Sequence, residues 1–497
     1  MRRTTKGALA IGIGVALAGG LAVTAGASPL PAFDSDSPSP ASSPATQSAQ
    51  AAGAAKKKVE VREDFNGDGY NDLAIGAPEG NGKAGYVAVV YGSANGLDTK
   101  TRTVIDQDTE GVPGTAEEGN RFGSKLVARD LDGDGVTDLA VQAQSAGGSA
   151  LTVLWGAKGE GVTGKDAVRH ADVEEPVGGD FDGDGKSDLF VADNGAGDSK
   201  LLRGPFSRDG KPAAEQSVDL SDGDAEVYQL MAGDVTGDGA DDLVVARAME
   251  ESSRPGAFFK GGKSGLTKVN DKAPEAQNGA IGDFDGDGFG DLAYRVPLGG
   301  VIEGPWSEPG SVKVVYGTAK GLGTRTATFT QATSGVPGAN EEGDIFGTSL
   351  AAGDANGDGY DDLAAGVPGE AIGTKDKAGS AVLLKGSKKG LSGAGAQAFS
   401  QDTTGVPGVA EAGDLFGTNM RLLDTNGDKK ADLAVSAPGE NNYNGAVWSV
   451  PGATAGLDPA KSTSFSPEDL NASPDGATFG SVFNNSATSP LWGIVDR

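Results

Sequence analysis

The sequence contains no cysteine and only one histidine, His170, among its 497 residues. Disulfide bonds, thiolate chemistry and the Cys/His cages that hold zinc are therefore excluded. A histidine-based catalytic triad is nearly excluded as well, because no serine or carboxylate pattern surrounds His170. Any metal in this protein must be held by oxygen atoms.

Basic and aromatic residues are also scarce. Lys and Arg number 41 against 70 Asp and Glu, so the formal net charge is −29, and aromatic residues make up 6%. Such a chain repels phosphate backbones and anionic lipid headgroups, which makes nucleic acids and membrane surfaces poor partners. The 82 glycines favour many tight turns and short strands. The length predicts several domains or a repeat architecture.

The N-terminus has the pattern of an export signal. Basic residues precede an apolar run from 8 to 23, and the small residues Ala25-Gly26-Ala27 follow it. We interpret 1–27 as a cleavable signal peptide rather than a membrane anchor, because the run is short and contains four glycines. Residues 28–58 are rich in Ser, Pro and Ala, which predicts a disordered linker. The mature chain is expected to be a secreted, extracellular monomer with no membrane insertion.

Beyond the linker, one nine-residue phrase recurs at a mean spacing of about 60 residues, which is room for one four-stranded unit. The seven copies begin at Asp64, Asp130, Asp180, Asp234, Asp283, Asp354 and Asp424. An acid closes every copy at position 9 and runs directly into an apolar strand.

Oxygen side chains at positions 1, 3, 5 and 9, with the carbonyl of position 7, suit a hard cation, and calcium fits best. The glycine at position 6 supplies the sharp bend. The sequence thus predicts up to seven Ca²⁺ ions. Their ligands are expected to be Asp64, Asn66, Asp68, Tyr70 and Asp72; Asp130, Asp132, Asp134, Val136 and Asp138; Asp180, Asp182, Asp184, Lys186 and Asp188; Asp234, Thr236, Asp238, Ala240 and Asp242; Asp283, Asp285, Asp287, Phe289 and Asp291; Asp354, Asn356, Asp358, Tyr360 and Asp362; and Asp424, Asn426, Asp428 and Asp432.

The alternative to calcium is a set of hairpin turns without metal, since Asp-Gly and Asn-Gly are strong hairpin signals. Turn chemistry alone does not explain the acid at position 9. An EF-hand needs a Glu at position 12, where this chain has aliphatic residues, alanine or tyrosine. Thr236 replaces one carboxylate of its loop and Lys429 replaces the bend glycine of another, so these two loops are expected to bind calcium most weakly.

Short motifs flank the phrase. A Phe-Gly pair precedes three copies, at Phe122-Gly123, Phe346-Gly347 and Phe416-Gly417. The strands after the phrase end in Gly-Ala-Pro, as at 76–78, or in a close variant of it. This combination resembles the FG-GAP repeat (VCBS-like) of integrin alpha N-terminal propellers and of many secreted bacterial proteins. The resemblance implies an all-β, seven-bladed β-propeller over 59–497, with calcium loops between the first and second strands of the blades. A linear solenoid is the other repeat fold to consider, but no capping repeats are evident.

The resemblance implies a binding scaffold. The leading interpretation is an exported, calcium-binding, integrin-alpha-like module for binding or adhesion, whose ligand is an unknown extracellular protein or glycan. The alternatives are a secreted propeller hydrolase or phospholipase-like enzyme and a structural coat protein. The enzyme is disfavoured because no separate catalytic domain is present.

Two further expectations concern the ring. Phe479-Gly480 has no acidic phrase after it, so residues 477–483 are expected to pack beside blade 1, next to 59–62, and close the ring. The phrase GVPG-x-x-E-x-G enlarges three inter-blade loops, at 111–119, 335–343 and 405–413. These loops should share one face with Trp306 and Tyr443, which we interpret as candidate ligand contacts.

Overall fold

The computed structural model describes residues 63–144, 148–171, 173–192, 199–223, 225–301 and 308–486. The predicted signal peptide (1–27), the predicted linker (28–58) and residues 59–62 lie outside these ranges. Within them the chain forms seven antiparallel four-stranded sheets, which are the blades of a seven-bladed β-propeller. The predicted all-β propeller is confirmed, and the linear solenoid is not formed.

Each blade has an inner strand that faces the ring axis, followed outward by a second, a third and an outer strand. In that order, blades 1 to 4 consist of Val482–Phe483, Leu73–Ala77, Tyr86–Tyr91 and Asp98–Ile105; Lys125–Arg129, Asp138–Ala143, Ala150–Leu154 and Val168–Ala171; Glu175–Gly179, Asp188–Ala192, Lys200–Arg203 and Ala214–Ser217; and Glu226–Gly233, Asp242–Met249, Ser252–Lys260 and Thr267–Ala273. Blades 5 to 7 consist of Gly279–Gly282, Asp291–Arg295, Val312–Val315 and Thr326–Phe329; Leu350–Gly353, Asp362–Val367, Ser380–Lys385 and Ser392–Phe399; and Met420–Leu423, Asp432–Ala437, Ala446–Val450 and Thr463–Phe465.

The remaining regular elements are short and lie in the connections. They are the one-turn helices Gly80–Lys83 and Glu440–Tyr443, the 3₁₀ turns Leu298–Gly300, Pro459–Lys461 and Glu468–Leu470, and a small hairpin of Gly452–Ala453 with Gly456–Leu457.

Burial follows the position of a strand in its blade. The second strands, such as Leu73–Ala77 and Asp138–Ala143, are buried along their whole length. Outer strands such as Ala214–Ser217 have no fully buried residue and alternate between half-buried and exposed positions. The second strands are mostly apolar because a sheet between two neighbouring blades is covered on both faces. The polar exceptions, such as Gln142, Arg247 and Arg295, are themselves buried.

The hydrophobic cores lie between blades rather than within them. Seven clusters of buried side chains each draw on two adjacent blades. Between blades 6 and 7, for example, Leu383 and Phe399 pack with Val435 and Trp448. A single blade therefore buries its apolar faces only inside the ring, as expected for a repeat fold.

The Phe-Gly and Gly-Ala-Pro motifs meet at the boundary between blades. Phe122 and Phe416 are fully buried. Gly417 has a positive φ of 92°, and a Cβ atom on it would lie 2.2 Å from the carbonyl oxygen of Ser380. A Cβ on Gly366 would in turn lie 2.0 Å from the carbonyl oxygen of Gly417. Two backbones thus approach too closely for any side chain, which explains why both positions are glycine.

The C-terminal segment closes the ring. Val482–Phe483 forms the inner strand of blade 1, where Phe483 pairs with Ile75 and Val482 with Gly76. Buried Phe479 stacks against Tyr86 of blade 1 with ring centroids 6.5 Å apart. The expectation that residues 477–483 join blade 1 is confirmed, and its second part, contact with 59–62, falls outside the described residues.

Charged side chains reinforce this closure. Glu63, which is 3% exposed, forms an ion pair with Arg421 of blade 7. Its carboxylate also accepts hydrogen bonds from the side-chain amides of Asn484 and of Asn485, the latter at 2.9 Å. One buried carboxylate thus ties the start of the propeller to blade 7 and to the closing strand.

The inner strands surround a central cavity of about 280 Å³. Its charged side chains are already paired with each other, as in Lys125 with Glu175 and Arg421 with Glu63. The cavity therefore offers no uncompensated charge from these four groups to a ligand.

Ring closure predicts a stability effect that reaches all blades. Replacing fully buried Phe483 by alanine should lower the free energy of unfolding by about 3 kcal/mol or more, because a cavity opens at the seam between blades 7 and 1. A chain ending at residue 476 should lose the cooperative transition of the whole propeller. Chemical denaturation followed by circular dichroism measures both effects.

The control is Val409→Ala, because Val409 is 63% exposed and its substitution should change stability by less than about 0.5 kcal/mol. A truncated chain as stable as the full one would contradict a role of this segment in closure.

Candidate metal centre

The nine-residue phrases form seven surface loops of nearly identical geometry, which we call acidic loops 1 to 7 after their blades. In blades 2 to 7 each loop connects the inner strand to the second strand, as the sequence predicts. In blade 1 the loop precedes the second strand, while the inner strand comes from the C-terminus.

The carboxylate at position 1 organises each loop. In loop 1, Asp64 accepts hydrogen bonds from the backbone N–H groups of Asp68 at 3.1 Å and Gly69 at 2.8 Å. The other six position-1 aspartates likewise accept the N–H of position 6 at 2.8–3.0 Å. The side chain thereby bends the backbone around itself. Position 5 makes a smaller turn of the same kind, since its carboxylate accepts the N–H of position 7.

Lysine fits the bend of loop 7 without widening it. Lys429 takes a positive φ of 69°, and its N–H donates to Asp424 at 2.9 Å in the same way as the glycines of the other loops. Its side chain places a positive charge on a loop that otherwise gathers oxygen atoms. The lysine therefore keeps the shape of the loop by adopting a strained, left-handed backbone conformation.

The aspartate at position 9 has a structural task that the sequence did not reveal. One oxygen of each accepts the N–H of a glycine just beyond the third strand, at 2.8–2.9 Å in all seven blades. In blades 1, 2, 3, 5 and 7 the other oxygen accepts the N–H of position 2. The constant acid at position 9 therefore has a reason besides metal. In the sequence, the only sign of this hydrogen bond is the glycine that follows each third strand.

Three loops bring three carboxylates together. In each, oxygen atoms from positions 1, 3 and 9 lie within 4.8 Å of one another, and they belong to Asp130, Asp132 and Asp138; Asp180, Asp182 and Asp188; and Asp283, Asp285 and Asp291. In the other four loops position 3 is Asn66, Thr236, Asn356 or Asn426. The position-5 carboxylates are not part of these groups of three. A cluster of hard oxygen atoms at this separation fits a divalent cation such as calcium.

These loops hold their negative charge at a cost. Burial raises the pKa of the position-9 carboxyl group from 3.8 to about 8 in Asp72 and Asp138, and to about 7 in Asp188. Neighbouring loop carboxylates raise it further, whereas the backbone N–H groups lower it. The pKa of the remaining position-9 carboxyl groups is raised to about 6 or 7 for the same leading reason. A bound cation would remove this penalty by supplying the missing positive charge.

Arginine residues approach the same three loops. Arg208 contacts Asp132 at 2.5 Å, Arg203 contacts Asp182 at 3.3 Å, and Arg325 pairs with Asp285. Each thus meets the position-3 carboxylate. The position-3 residues of the other four loops are uncharged and cannot form such an ion pair. A prediction of cation affinity from the number of carboxylates therefore overlooks the arginine that already neutralises one of them. No sequence pattern identifies these arginines.

The enlarged loops lie at the other end of the strands. A backbone hydrogen bond joins each enlarged loop to the connection between the second and third strands of the preceding blade. The N–H groups of Gly119, Gly343 and Gly413 donate to the carbonyl oxygens of Lys83 at 2.9 Å, Glu308 at 3.1 Å and Asp376 at 3.0 Å, respectively. The enlarged loops and the connections between the second and third strands therefore lie on the face opposite the acidic loops. The expected shared face is confirmed for Tyr443. Half-buried Tyr443 lies there, in the helix Glu440–Tyr443. Trp306 lies outside the described residues.

His170 lies in the outer strand of blade 2, where it pairs with Leu151, and burial lowers the pKa of its imidazole. Among the described residues, none of the helices has the length and apolar character needed to span a bilayer.

Comparison with known families identifies the repeats. The FG-GAP repeat model matches residues 61–90, 346–384 and 416–450, and an FG-GAP-like repeat model matches 180–245. The phosphatidylinositol-glycan-specific phospholipase D of Bos taurus is 39% identical over 93 residues, which cover 18% of this chain and 11% of that protein.

Integrin alpha chains also match. Integrin alpha-PS5 of Drosophila melanogaster is 32% identical over 156 residues, covering 29% of this chain and 15% of that protein. Integrin alpha pat-2 of Caenorhabditis elegans is 39% identical over 97 residues, which cover 19% of this chain and 7% of that protein. The chain thus spans roughly a tenth of the length of the curated relatives it matches. Among solved structures, AofleA from Arthrobotrys oligospora aligns with a TM-score of 0.35 at 10% identity, covering 69% of this chain and 89% of that one.

The models match copies in blades 1, 3, 4, 6 and 7, and the same loop geometry recurs in all seven blades. The chain therefore carries FG-GAP repeats, and they are folded as a seven-bladed β-propeller of the kind that the sequence predicts.

Proposed function

We propose that this protein is an exported binding module in which calcium in the acidic loops holds the propeller rigid while the opposite face recognises an extracellular protein or glycan. The observation that carries the proposal is the gathering of three enlarged loops on the face opposite the acidic loops. Loops on a rigid scaffold are where binding surfaces are usually found. The similarity to integrin alpha chains supports a binding role, and it extends over a limited part of each relative.

The acidic loops would supply calcium with side-chain oxygen atoms from positions 1, 3, 5 and 9 and with the carbonyl oxygen of position 7. Bound calcium would supply positive charge to carboxylates that burial otherwise penalises. Position 1 shapes the loop, and position 9 links it to the end of the third strand, so occupancy would be transmitted to the sheet. In loops 2, 3 and 5 the arginine on position 3 would compete with the ion.

The phospholipase-like alternative draws on the match to phosphatidylinositol-glycan-specific phospholipase D, whose length this chain covers to 11%. Hydrolysis of ester and glycoside libraries, with His170→Ala as a control, separates an enzyme from a binding module. A structural coat protein would bind no specific ligand in an array experiment.

Calcium should be part of the stability of the fold. A ligand at about 100 times its Kd stabilises a protein by about 2.7 kcal/mol per site, so excess EGTA should lower the melting temperature by several degrees or more. In loop 6, Asp354→Asn should reduce the calcium-dependent shift without abolishing it. Differential scanning calorimetry with and without calcium measures the shift.

Asp376→Asn serves as the matched control, because Asp376 is exposed and lies outside the acidic loops. It removes the same charge and should leave the shift unchanged. Identical melting curves in calcium and in EGTA would refute calcium binding by these loops.

The stabilisation by calcium should depend on pH. The folded metal-free protein holds the position-9 protons more tightly than the unfolded chain, because burial raises the pKa of Asp72 and Asp138 from 3.8 to about 8. The metal-free form should therefore lose stability as the pH rises from about 4 to about 8. Calcium requires the deprotonated carboxylates, so its stabilising shift should be larger at about pH 8 than at about pH 5.5. Thermal melts at both pH values, with calcium or EGTA, check the sign, and a larger shift at the lower pH would contradict it.

The ligand face can be tested by substitution once screening on extracellular protein and glycan arrays yields a binder. Tyr443→Ala and Trp306→Ala should each weaken binding about tenfold, which corresponds to about 1.4 kcal/mol. Val269→Ala, in the outer strand of blade 4, is the control, because Val269 is 47% exposed and lies on another blade. Asp354→Asn should affect binding only as far as it lowers stability. Ligand contacts confined to blades 2 to 4 would overturn this placement.

A further inference from the structure

Loops 2, 3 and 5 differ from the other acidic loops at one ligand position. They have aspartate at position 3, where the others have Asn66, Thr236, Asn356 or Asn426. The additional carboxylate alone would make these three loops the strongest calcium sites, because the affinity of an oxygen-ligand site rises with the charge of its ligands. The same three loops are the ones in which an arginine contacts position 3.

The three arginines reach their aspartates by different routes. Arg203 is the last residue of the third strand of blade 3 and contacts Asp182 in the loop of its own blade. Arg325 lies between the third and outer strands of blade 5 and also stays within its blade. Arg208 lies in the corresponding connection of blade 3 but crosses to loop 2 of the preceding blade. The pairing therefore recurs with the aspartate at position 3 and not with one place in the blade.

Aromatic rings hold two of the arginines at their loops. The Cζ atom of Arg208 lies 5.1 Å from the centroid of the Trp155 ring, and that of Arg325 lies 3.6 Å from the centroid of the Tyr316 ring. Both rings are buried, and each residue directly precedes the glycine that donates its N–H to the position-9 aspartate. A guanidinium stacked on a buried ring is oriented for its carboxylate, so the ion pair is part of the construction of the loop.

Two blades with asparagine at position 3 lack the arginine. The segment from Tyr316 to Arg325 in blade 5 aligns without gaps with the segment from Tyr91 to Lys100 in blade 1. Lys100 is exposed, and within the described ranges its side chain forms no ion pair. In blade 6 the same position is Ala394. In this alignment the arginine accompanies the aspartate and is replaced where the aspartate is replaced.

The arginine engages one oxygen of the position-3 aspartate and leaves the other. Arg325 pairs with Oδ2 of Asp285, whose side chain is buried. Oδ1 of Asp285 has no hydrogen-bond partner among the described residues, and Asp285 supplies an oxygen to the group of three with Asp283 and Asp291. Asp182 likewise has a buried Oδ1 without a hydrogen bond in the part of the chain that is described. A ligand oxygen thus stays available, and the arginine acts on a cation through its charge.

The arginine gives these loops the formal charge of loop 1. Loop 5 has carboxylates at positions 1, 3, 5 and 9, and the guanidinium of Arg325 reduces its formal charge from −4 to −3. Loop 1 reaches −3 with three carboxylates and Asn66. We propose that Arg203, Arg208 and Arg325 set the calcium affinity of loops 2, 3 and 5, so that these loops bind calcium no more tightly than loop 1. This inference rests on the proposed binding of calcium by the acidic loops.

Trp155 gives loop 2 an optical signal of its own. The Trp155 ring lies beside Arg208, and the next residue, Gly156, donates its N–H to Asp138 of loop 2 at 2.9 Å. Terbium is a luminescent substitute for calcium, and a nearby excited tryptophan sensitises its emission. Terbium in loop 2 should therefore emit when Trp155 is excited, and Trp155→Phe identifies this component. Its displacement by calcium measures the calcium affinity of loop 2.

Charge substitutions in the full chain test the inference. Arg208→Gln should raise the calcium affinity of loop 2 about tenfold, because it removes a positive charge next to the ion. Arg208→Lys keeps the charge and should change the affinity by less than about threefold. The double variant Arg208→Gln/Asp132→Asn gives loop 2 the carboxylates of loop 1 and should restore the parent affinity to within about threefold. Arg169→Gln is the matched control, because Arg169 is an exposed arginine in the outer strand of the same blade, and it should have no effect.

The possible outcomes separate this inference from the calcium proposal. An affinity that Arg208→Gln leaves unchanged or weakens would overturn the inference alone. An equal gain in Arg208→Lys would assign the effect to packing on Trp155 and would also overturn it. A parent chain without a Trp155 component that calcium displaces would refute calcium binding in loop 2 and the inference with it.

A second arginine keeps the test decisive if circular dichroism shows that Arg208→Gln does not fold. Arg325→Gln then takes its place, because its side chain is 49% exposed and its substitution disturbs little packing. Equilibrium dialysis at a calcium concentration below saturation should show more calcium bound to this variant than to the parent chain. An unchanged amount would count against the inference.

Discussion

The architecture depends on one hydrogen-bonded group that recurs in every blade, the buried aspartate at the end of the acidic loop. In each blade it accepts a backbone N–H from the glycine beyond the third strand, and in most it also accepts one from the start of its own loop. It thereby fixes the loop, the start of the second strand and the end of the third strand to one another. A carboxylate with two backbone donors can be buried where an unpaired one could not. The apolar strands then pack between blades in a consistent register.

Much of the fold could be predicted because the repeat is defined by residue types that few others can replace in these loops and bends. Acids at fixed positions and glycines at bends mark the loops, and the unmatched Phe479-Gly480 identifies the closing strand. The acidic loops were predicted from oxygen donors alone, and the convergence of Asp130, Asp132 and Asp138 agrees with that reasoning.

Other parts of the site could not be predicted, because they join residues that no local pattern connects. Arg208 reaches Asp132 from the following blade, so only the fold brings the two together. The sequence suggested a metal as the reason for the acid at position 9. Its backbone donors are not evident there, because they belong to glycines about twenty residues further along the chain.

Because the last strand completes blade 1, the contacts that close the ring join residues that lie very far apart in the sequence. The hydrogen bond from the N–H of Ala74 to Asn484 spans 410 residues. During synthesis, blade 1 lacks its inner strand until Val482–Phe483 has been made, so this blade is among the last to be completed. Contacts of such high order slow folding, because a long loop must close before the interaction is gained. The ring thus stays open until Val482–Phe483 pairs with Leu73–Ala77, and blade 1 forms together with its closing strand.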